Sequence, residues 1–264
     1  MTTFPLRTAM AIRWIIAIIV MMSSPTVARA QLDVLMSGGF GGAYERLLPE
    51  FEKTSGVKVT TGSGASQGSG PQTIAAHLAR GVPADVVILS REGLNELIAA
   101  NKIGSGTDVD LAQVPLGIAV RAKAAKPDVS TVAAFKQTMT GARKIALPGS
   151  TSGIWLKNDL FPRLGIADKI SIEMKPRGTD VTNMVATGDA GIGVLPVSEI
   201  LVAAGVDHAG TLPSEIQLVQ VFAAAVLADS KESAAAKRLI EFLASPRATE
   251  AIKSSGMEPL ATSR

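Results

Sequence analysis

Four short segments of this sequence combine glycine with polar side chains, and each lies directly before a predicted helix. They are residues 37–42, 62–70, 149–153 and 177–180. The first N–H groups of a helix have no partner within the helix, and the helix dipole favours a negative charge beside them. A hydrogen bond to a charged group contributes about 1.5–3 kcal/mol, so several N–H and hydroxyl donors could bind an anion without a cluster of basic residues.

Turn formation and helix capping are the competing interpretation, because Ser, Thr and Gly are the ordinary residues at helix starts. For any single segment that interpretation is the favoured one. All four segments, however, follow predicted strands. In open α/β sheets, ligands bind at the carboxyl ends of strands. The coincidence of four such segments therefore favours one shared site for a small anion.

Few side chains of this sequence could move a proton at carbon, which requires a base of suitable pKa. The two histidines are poor candidates, since His77 lies in the apolar helix "IAAHLA" and His208 lies in "GVDHAG", which we expect to be a surface turn. Tyr44 and Asp180 are the better candidates for catalytic groups in a cleft. Each has an alternative role, because Tyr44 could pack as a helix residue and Asp180 could cap the helix that follows it.

Several other chemistries are disfavoured by the motifs. The sequence has no cysteine, no G-x-G-x-x-G or P-loop element and no H-E-x-x-H. The stretch "GASQG" matches the G-x-S-x-G pattern of hydrolases but lacks a convincing histidine partner. We therefore predict no metal site, no cofactor and no hydrolase activity.

Alternating strand and helix patterns dominate the chain after its first thirty residues. Continuous apolar runs such as "ADVVILS" are typical of buried strands, and "GAYERLLPEFEKTSG" is typical of an amphipathic helix. A second helix is predicted in "PQTIAAHLARG", with Pro71 in its first turn and Gly81 past its end. This order predicts an α/β protein with mostly parallel sheets, in two lobes that no flexible linker separates.

The first thirty residues have the pattern of a cleaved secretory signal peptide. Two arginines precede the apolar run "WIIAIIVMM", and "ARA" at residues 28–30 matches a cleavage site. These residues contain three of the 26 Lys and Arg and no acid, which leaves 23 basic and 23 acidic residues in the mature chain. Balanced charge gives no reason to expect nucleic acid as a partner. We predict a periplasmic protein that acts as a monomer.

Longer stretches of the sequence resemble one known family. "DVLMSGGFGGAYERLLPEFEKTSGVKV", "HLARGVPADVVILS", "GSTSGIWLKNDLFPRLGI" and "LIEFLASPRATEAIKSSGMEPL" are similar to the periplasmic molybdate-binding proteins of ABC importers. The resemblance implies the type II periplasmic binding fold, in which two α/β lobes are joined by two crossover strands and close on a ligand about a hinge. It places lobe 1 at residues 31–114 and 218–264, and lobe 2 at residues 115–217.

The resemblance also implies which residues bind the ligand. Together with their neighbours in the four segments, these are Ser37, Gly38, Gly39, Ser66, Ser69, Gly70, Gln72, Ser152, Gly178, Thr179 and Pro196. Pro196 stands where the family has a tyrosine hydroxyl, and Gly39 falls at or near the position of a family serine. We therefore expect a roomier site that prefers an organic carboxylate to molybdate. Arg177 could replace the lost donor, since a guanidinium binds a carboxylate through two hydrogen bonds.

Two functions follow from the resemblance. One is a solute-binding protein that delivers a small anion to an inner-membrane ABC permease. The alternative is an enzyme, because aconitate isomerase, which shifts a proton and a double bond in a tricarboxylate, is built on this same family. Tyr44 or Asp180 would then be the catalytic group.

Overall fold

The structure is a computed structural model that describes residues 31–260. The predicted signal peptide lies outside these residues. The strands are β1 (Gln31–Met36), β2 (Lys58–Ser63), β3 (Val86–Ser90), β4 (Val109–Arg121), β5 (Ile145–Pro148), β6 (Ile172–Lys175), β7 (Ile192–Pro196), β8 (Val206–Thr211), β9 (Val219–Val226) and β10 (Glu258–Pro259).

Helices connect most of these strands. They are α1 (Gly41–Ser55), α2 (Ile74–Ala79), α3 (Arg91–Ala99), α4 (Val132–Gly141), α5 (Thr151–Trp155), α6 (Phe161–Arg163), α7 (Gly178–Thr187), α8 (Val197–Leu201), α9 (Ser233–Leu243) and α10 (Thr249–Ser254). A π-helical turn, Leu156–Leu160, joins α5 to α6, so that the three pieces form one continuous helix. Within residues 31–260, no helix is long and apolar enough to cross a membrane.

Strand β4 connects two sheets that share it. Its first half pairs with β9 in the sheet ordered β2-β1-β3-β9-β4, and its second half, from Leu116 onward, pairs with β7 and β8 in the sheet that continues to β5 and β6. The change of partner falls between Pro115 and Leu116. We call the part built on the first sheet lobe 1 and the part built on the second lobe 2. The residue boundaries expected from the sequence remain a prediction.

Each sheet has apolar residues on both faces because helices cover both faces. In lobe 1, Phe40 and Leu239 pack on one side of the sheet, whereas Leu94 and Ile74 pack on the other. In lobe 2, Phe135 and the continuous helix pack on one side and α7 packs on the other. The α/β architecture in two lobes agrees with the expectation from the sequence.

The sheets are mixed, which corrects the expectation of mostly parallel pairing. β1 pairs in parallel with β2 and β3, and β5 pairs in parallel with β6 and β7. The strands that connect the lobes run the other way, since β9 is antiparallel to both β3 and β4, and β4 is antiparallel to β7 and β8. Hydrophobic runs identify buried strands but do not fix their direction.

Two local predictions are also wrong. Helix α2 begins at Ile74 and not at Pro71, because the Thr73 hydroxyl accepts a hydrogen bond from the N–H of Ala76 and caps the helix there. His208 lies in strand β8 and not in a surface turn. A strand of mixed polarity such as "VDHAGT" lacks the continuous apolar pattern that identified the others.

Candidate functional site

A cavity of about 250 Å³ lies between the two lobes. Lobe 1 contributes the start of α1 and the loop after β2, and lobe 2 contributes the starts of α5, α7 and α8. Strand β9 also lines it, through Gln220 and Phe222. A cavity of this volume has room for a small organic acid.

All four segments identified in the sequence reach this cavity. Eight of the twelve predicted ligand-binding residues line it, namely Ser37, Gly38, Ser66, Ser152, Arg177, Gly178, Thr179 and Pro196. The starts of three helical units therefore line one volume, the arrangement expected of an anion site. Whether these residues bind a ligand remains a prediction.

The other four predicted residues do not line the cavity. Ser69, Gly70 and Gln72 are exposed in the turn before α2. Gly39 is buried beneath the ring of Phe222. The end of β2 and the loop after it reach the cavity through residues 63–66, so of the residues predicted in this loop only Ser66 lines the cavity.

Side chains from other elements pack directly against the glycines of the segment that precedes α1. A Cβ at Gly39 would lie 1.9 Å from Cζ of Phe222, and a Cβ at Gly38 would lie 2.8 Å from Oε2 of Glu199. The expectation of a roomier site at Gly39 is therefore wrong, because an aromatic ring occupies the space that the missing side chain leaves. Glycine is required here by close packing.

Tyr44 does not reach the cavity. Its side chain is 1% exposed in the core of lobe 1, and its hydroxyl lies 2.9 Å from the hydroxyl of Thr61. Burial raises the pKa of Tyr44 to about 12. The structure therefore gives Tyr44 the packing role that the sequence left open, and a phenol with this pKa is a poor base at neutral pH.

Asp180 acts as a helix cap. Its Oδ2 accepts a hydrogen bond from the backbone N–H of Arg177 at 3.2 Å, and its carboxylate also contacts the Arg177 guanidinium at 3.3 Å. Asp180 does not line the cavity. Arg177 lies at the cavity mouth with nearly half of its side chain exposed. Because its guanidinium already contacts Asp180, a bound carboxylate would be a second partner of the same group.

Glu199 is the ionisable group that the sequence did not reveal. It lies in the first turn of α8, lines the cavity, and forms no hydrogen bond or ion pair with any residue of the described chain. A Cβ at Gly178 would lie 1.8 Å from its Oε2 atom, so its carboxyl group is packed between the backbones of Gly178 and Gly38. Burial raises the pKa of Glu199 to about 7.

A carboxyl group with this pKa can both accept and donate a proton near neutral pH. Sequence reasoning missed it, because acidic residues are common in the first turn of helices, where the helix dipole favours them. Its only distinguishing feature is its place three residues after Pro196, one helical turn from the position where the resembling family has its tyrosine.

Two buried polar atoms of the lining lack partners. Ser37 Oγ and Gln220 Oε1 form no hydrogen bond within residues 31–260, although the two side chains are only 5% and 4% exposed. Ser66 differs, since its hydroxyl oxygen accepts a hydrogen bond from the N–H of Ser90 at 2.9 Å. Neither histidine lines the cavity, and among the described residues no group of three His, Asp or Glu side chains could hold a metal ion.

Hydroxyl and amide groups join the two lobes beside the cavity. The hydroxyls of Ser90 in lobe 1 and Thr151 in lobe 2 lie 2.7 Å apart, and the Thr151 hydroxyl also donates to Oε1 of Gln67 at 2.7 Å. Ser150 accepts a hydrogen bond from the N–H of Gln67. The conformation is therefore one in which the lobes are in direct contact.

Comparison with known proteins gives three related results. An aconitate isomerase from a Pseudomonas species is 37% identical over 248 residues, covering 92% of this chain and 94% of that protein. The periplasmic molybdate-binding protein of Azotobacter vinelandii shares the fold, with a TM-score of 0.64 and 22% identity over 86% of this chain and 98% of that one. The sulfate-binding protein of Mycobacterium tuberculosis does so with a TM-score of 0.72 and 19% identity, covering 89% of this chain and 88% of that one.

These results confirm the type II periplasmic binding fold and the resemblance to the molybdate-binding type of protein, in the divergent group that includes aconitate isomerase. Residues 32–258 match the sequence profile of the bacterial extracellular solute-binding proteins. The chain belongs to the family of bacterial extracellular solute-binding proteins.

Proposed function

We propose that this protein binds a small polycarboxylate between its lobes and isomerises it, with aconitate as the substrate. The observation that carries this proposal is Glu199, a carboxyl group without a partner in the described chain, facing the interlobe cavity with a pKa of about 7. The identity with an aconitate isomerase over nearly the full length of both chains supports the choice of substrate.

The reaction needs one proton to move between two carbons of the substrate. Ionised Glu199 takes a proton from the methylene carbon, and the electron pair of that C–H bond forms a new double bond to the central carbon. The electrons of the old double bond take up a proton at its far carbon, so the double bond moves and no atom is gained or lost. Glu199 can also return the proton, because a carboxyl group with a pKa of about 7 is both an acid and a base near neutral pH.

The negative charge that develops during proton removal needs stabilisation. The starts of α5 and α7 line the cavity, and the positive dipole end of a helix stabilises negative charge beside its first residues. Arg177 adds a cation at the mouth. These groups also bind the carboxylates of the substrate, which accounts for a site with few basic residues.

Transport is a second candidate function, favoured by a cavity that lies between two lobes in direct contact. In this role the protein would be a periplasmic monomer that carries the same class of ligand, a small carboxylate anion, to an inner-membrane ABC permease. A carrier needs no proton-transfer group, so Glu199 would then have no chemical task. Carboxylate binding is common to both functions, and turnover separates them.

The test is to incubate the purified protein with cis-aconitate or trans-aconitate and to follow both by proton NMR. We expect interconversion by the wild type, a loss of at least 100-fold in rate for Glu199→Gln, and an unchanged rate for Glu241→Gln, which removes an exposed carboxylate on α9. Saturable aconitate binding by calorimetry without any interconversion would replace the isomerase with the carrier. Full activity of Glu199→Gln would remove Glu199 from the mechanism.

A further inference from the structure

Gln220 lies on the strand that connects the lobes, at the floor of the cavity. In β9 it pairs with Val114 of β4, two residues before β4 changes its partner from lobe 1 to lobe 2 at Leu116. Its side chain and that of Phe222 point to the same face of the strand, and both line the cavity. Gln220 therefore stays at the base of the cleft whichever way the lobes move.

The amide of Gln220 is unsatisfied by the protein. The side chain is 4% exposed, and its Oε1 atom has no hydrogen-bond partner within residues 31–260. Buried polar groups are nearly always paired, because leaving one unpaired costs the free energy of removing it from water. An apolar side chain of the same shape would avoid that cost, so the structure keeps the amide at a loss of stability.

Ser37 gives an independent second observation at the same cavity. Its hydroxyl is buried and without a partner, like the amide of Gln220. The described residues contain two further buried polar atoms without partners, on Ser198 and His208, and neither residue lines the cavity. The cavity thus combines two unpaired polar side chains, one on β9 and one directly after β1.

We propose that Gln220 determines substrate specificity by binding a carboxylate of the substrate together with Ser37. The amide can rotate to present its NH2 group, which offers two donors, and the Ser37 hydroxyl offers a third. Both are neutral, so they bind a carboxylate without lowering the pKa of Glu199 as a cation would. This inference rests on the proposed function, since it names the residues that recognise the substrate of that same site.

The test combines affinity with the stability of the ligand-free protein. Gln220→Leu removes the amide and leaves an apolar side chain of similar size. We expect the KM for aconitate to rise about 10- to 100-fold with little change in kcat, because the contact is the same in substrate and transition state. The Kd for tricarballylate, a saturated tricarboxylate that cannot isomerise, should rise by the same factor, while Tm of the ligand-free variant stays equal or increases.

Ser37→Ala should behave in the same way with a smaller rise in KM. Ser198→Ala is its matched control, since it removes an unpaired buried hydroxyl that does not line the cavity, and it should leave the Kd for tricarballylate unchanged. A structural role of Gln220 would lower Tm in the Leu variant. That result, or a wild-type Kd in Gln220→Leu, would overturn the inference while leaving the proposed function intact. Absence of both turnover and tricarboxylate binding in the wild type would overturn both.

Discussion

The carboxyl group of Glu199 in lobe 2 lies directly against the backbone of Gly38 in lobe 1, with Oε2 only 2.8 Å from the position of a Cβ at that glycine. On its other side the same oxygen packs against Gly178. Contact between the lobes therefore shields the carboxyl group from much of the surrounding water, and this burial raises its pKa. In the proposed mechanism, contact between the lobes both encloses the substrate and raises the pKa of Glu199.

The pH dependence of turnover should report Glu199. Proton removal needs the ionised form, and the pKa of this carboxyl is raised from its ordinary value of 4.5 to about 7. We expect kcat/KM to be high above pH 7 and to fall about tenfold for each pH unit below it, because the folded protein is then increasingly protonated at Glu199. Initial rates between pH 5 and 9 measure the profile. An inflection near pH 4.5 would show that the ionising group is not a buried carboxyl.

Gly178→Ala should displace the carboxyl group of Glu199. The added methyl carbon would lie 1.8 Å from Oε2, so one of the two groups must move. We expect kcat to fall at least tenfold and the free energy of unfolding to fall by about 1–3 kcal/mol from the steric strain. Gly141→Ala is a matched control, since it adds the same methyl group at the end of α4 with no atom within 4 Å. It should leave both quantities unchanged.

The fold could be predicted from this sequence to a large extent, because strand and helix patterns such as those of β3 and α1 depend on local periodicity. The four polar segments could also be placed at one site, because carboxyl ends of neighbouring strands meet. Glu199, Gln220 and Phe222 could not be found, since each owes its role to segments that lie far apart in sequence and meet only at the cavity. Gly39 is an example. The sequence shows that position 39 has no side chain, but it does not show that the ring of Phe222 fills that space.

Ligand selectivity should favour tricarboxylates over tetrahedral oxyanions. Phe222 packs over Gly39, the position at or near a serine of the resembling family. Pro196 lines the cavity where that family has a tyrosine hydroxyl. At both positions an apolar group therefore stands in place of a hydroxyl donor. Calorimetry with tricarballylate, molybdate, tungstate and sulfate should show saturable binding of the first alone. Arg177→Ala should weaken this binding by less than tenfold, because the guanidinium is half-exposed and shared with Asp180. Tight molybdate binding that survives Arg177→Ala would contradict the preference for carboxylates.

Thr151→Val should shift the protein toward an open conformation without touching the ligand. The Thr151 hydroxyl joins lobe 2 to Ser90 and Gln67 of lobe 1, and it is not part of the cavity lining. Valine has nearly the same shape but forms no hydrogen bond, so the contact state loses about 1–2 kcal/mol relative to the open state. A smaller fraction of the protein then has its lobes in contact, and affinity scales with the fraction that is competent to bind. We therefore expect the Kd for tricarballylate to rise about three- to tenfold. Small-angle scattering should show a larger radius of gyration without ligand and the wild-type value at saturation. Thr140→Val, at an exposed hydroxyl that bonds only within α4, is the control and should change neither measurement.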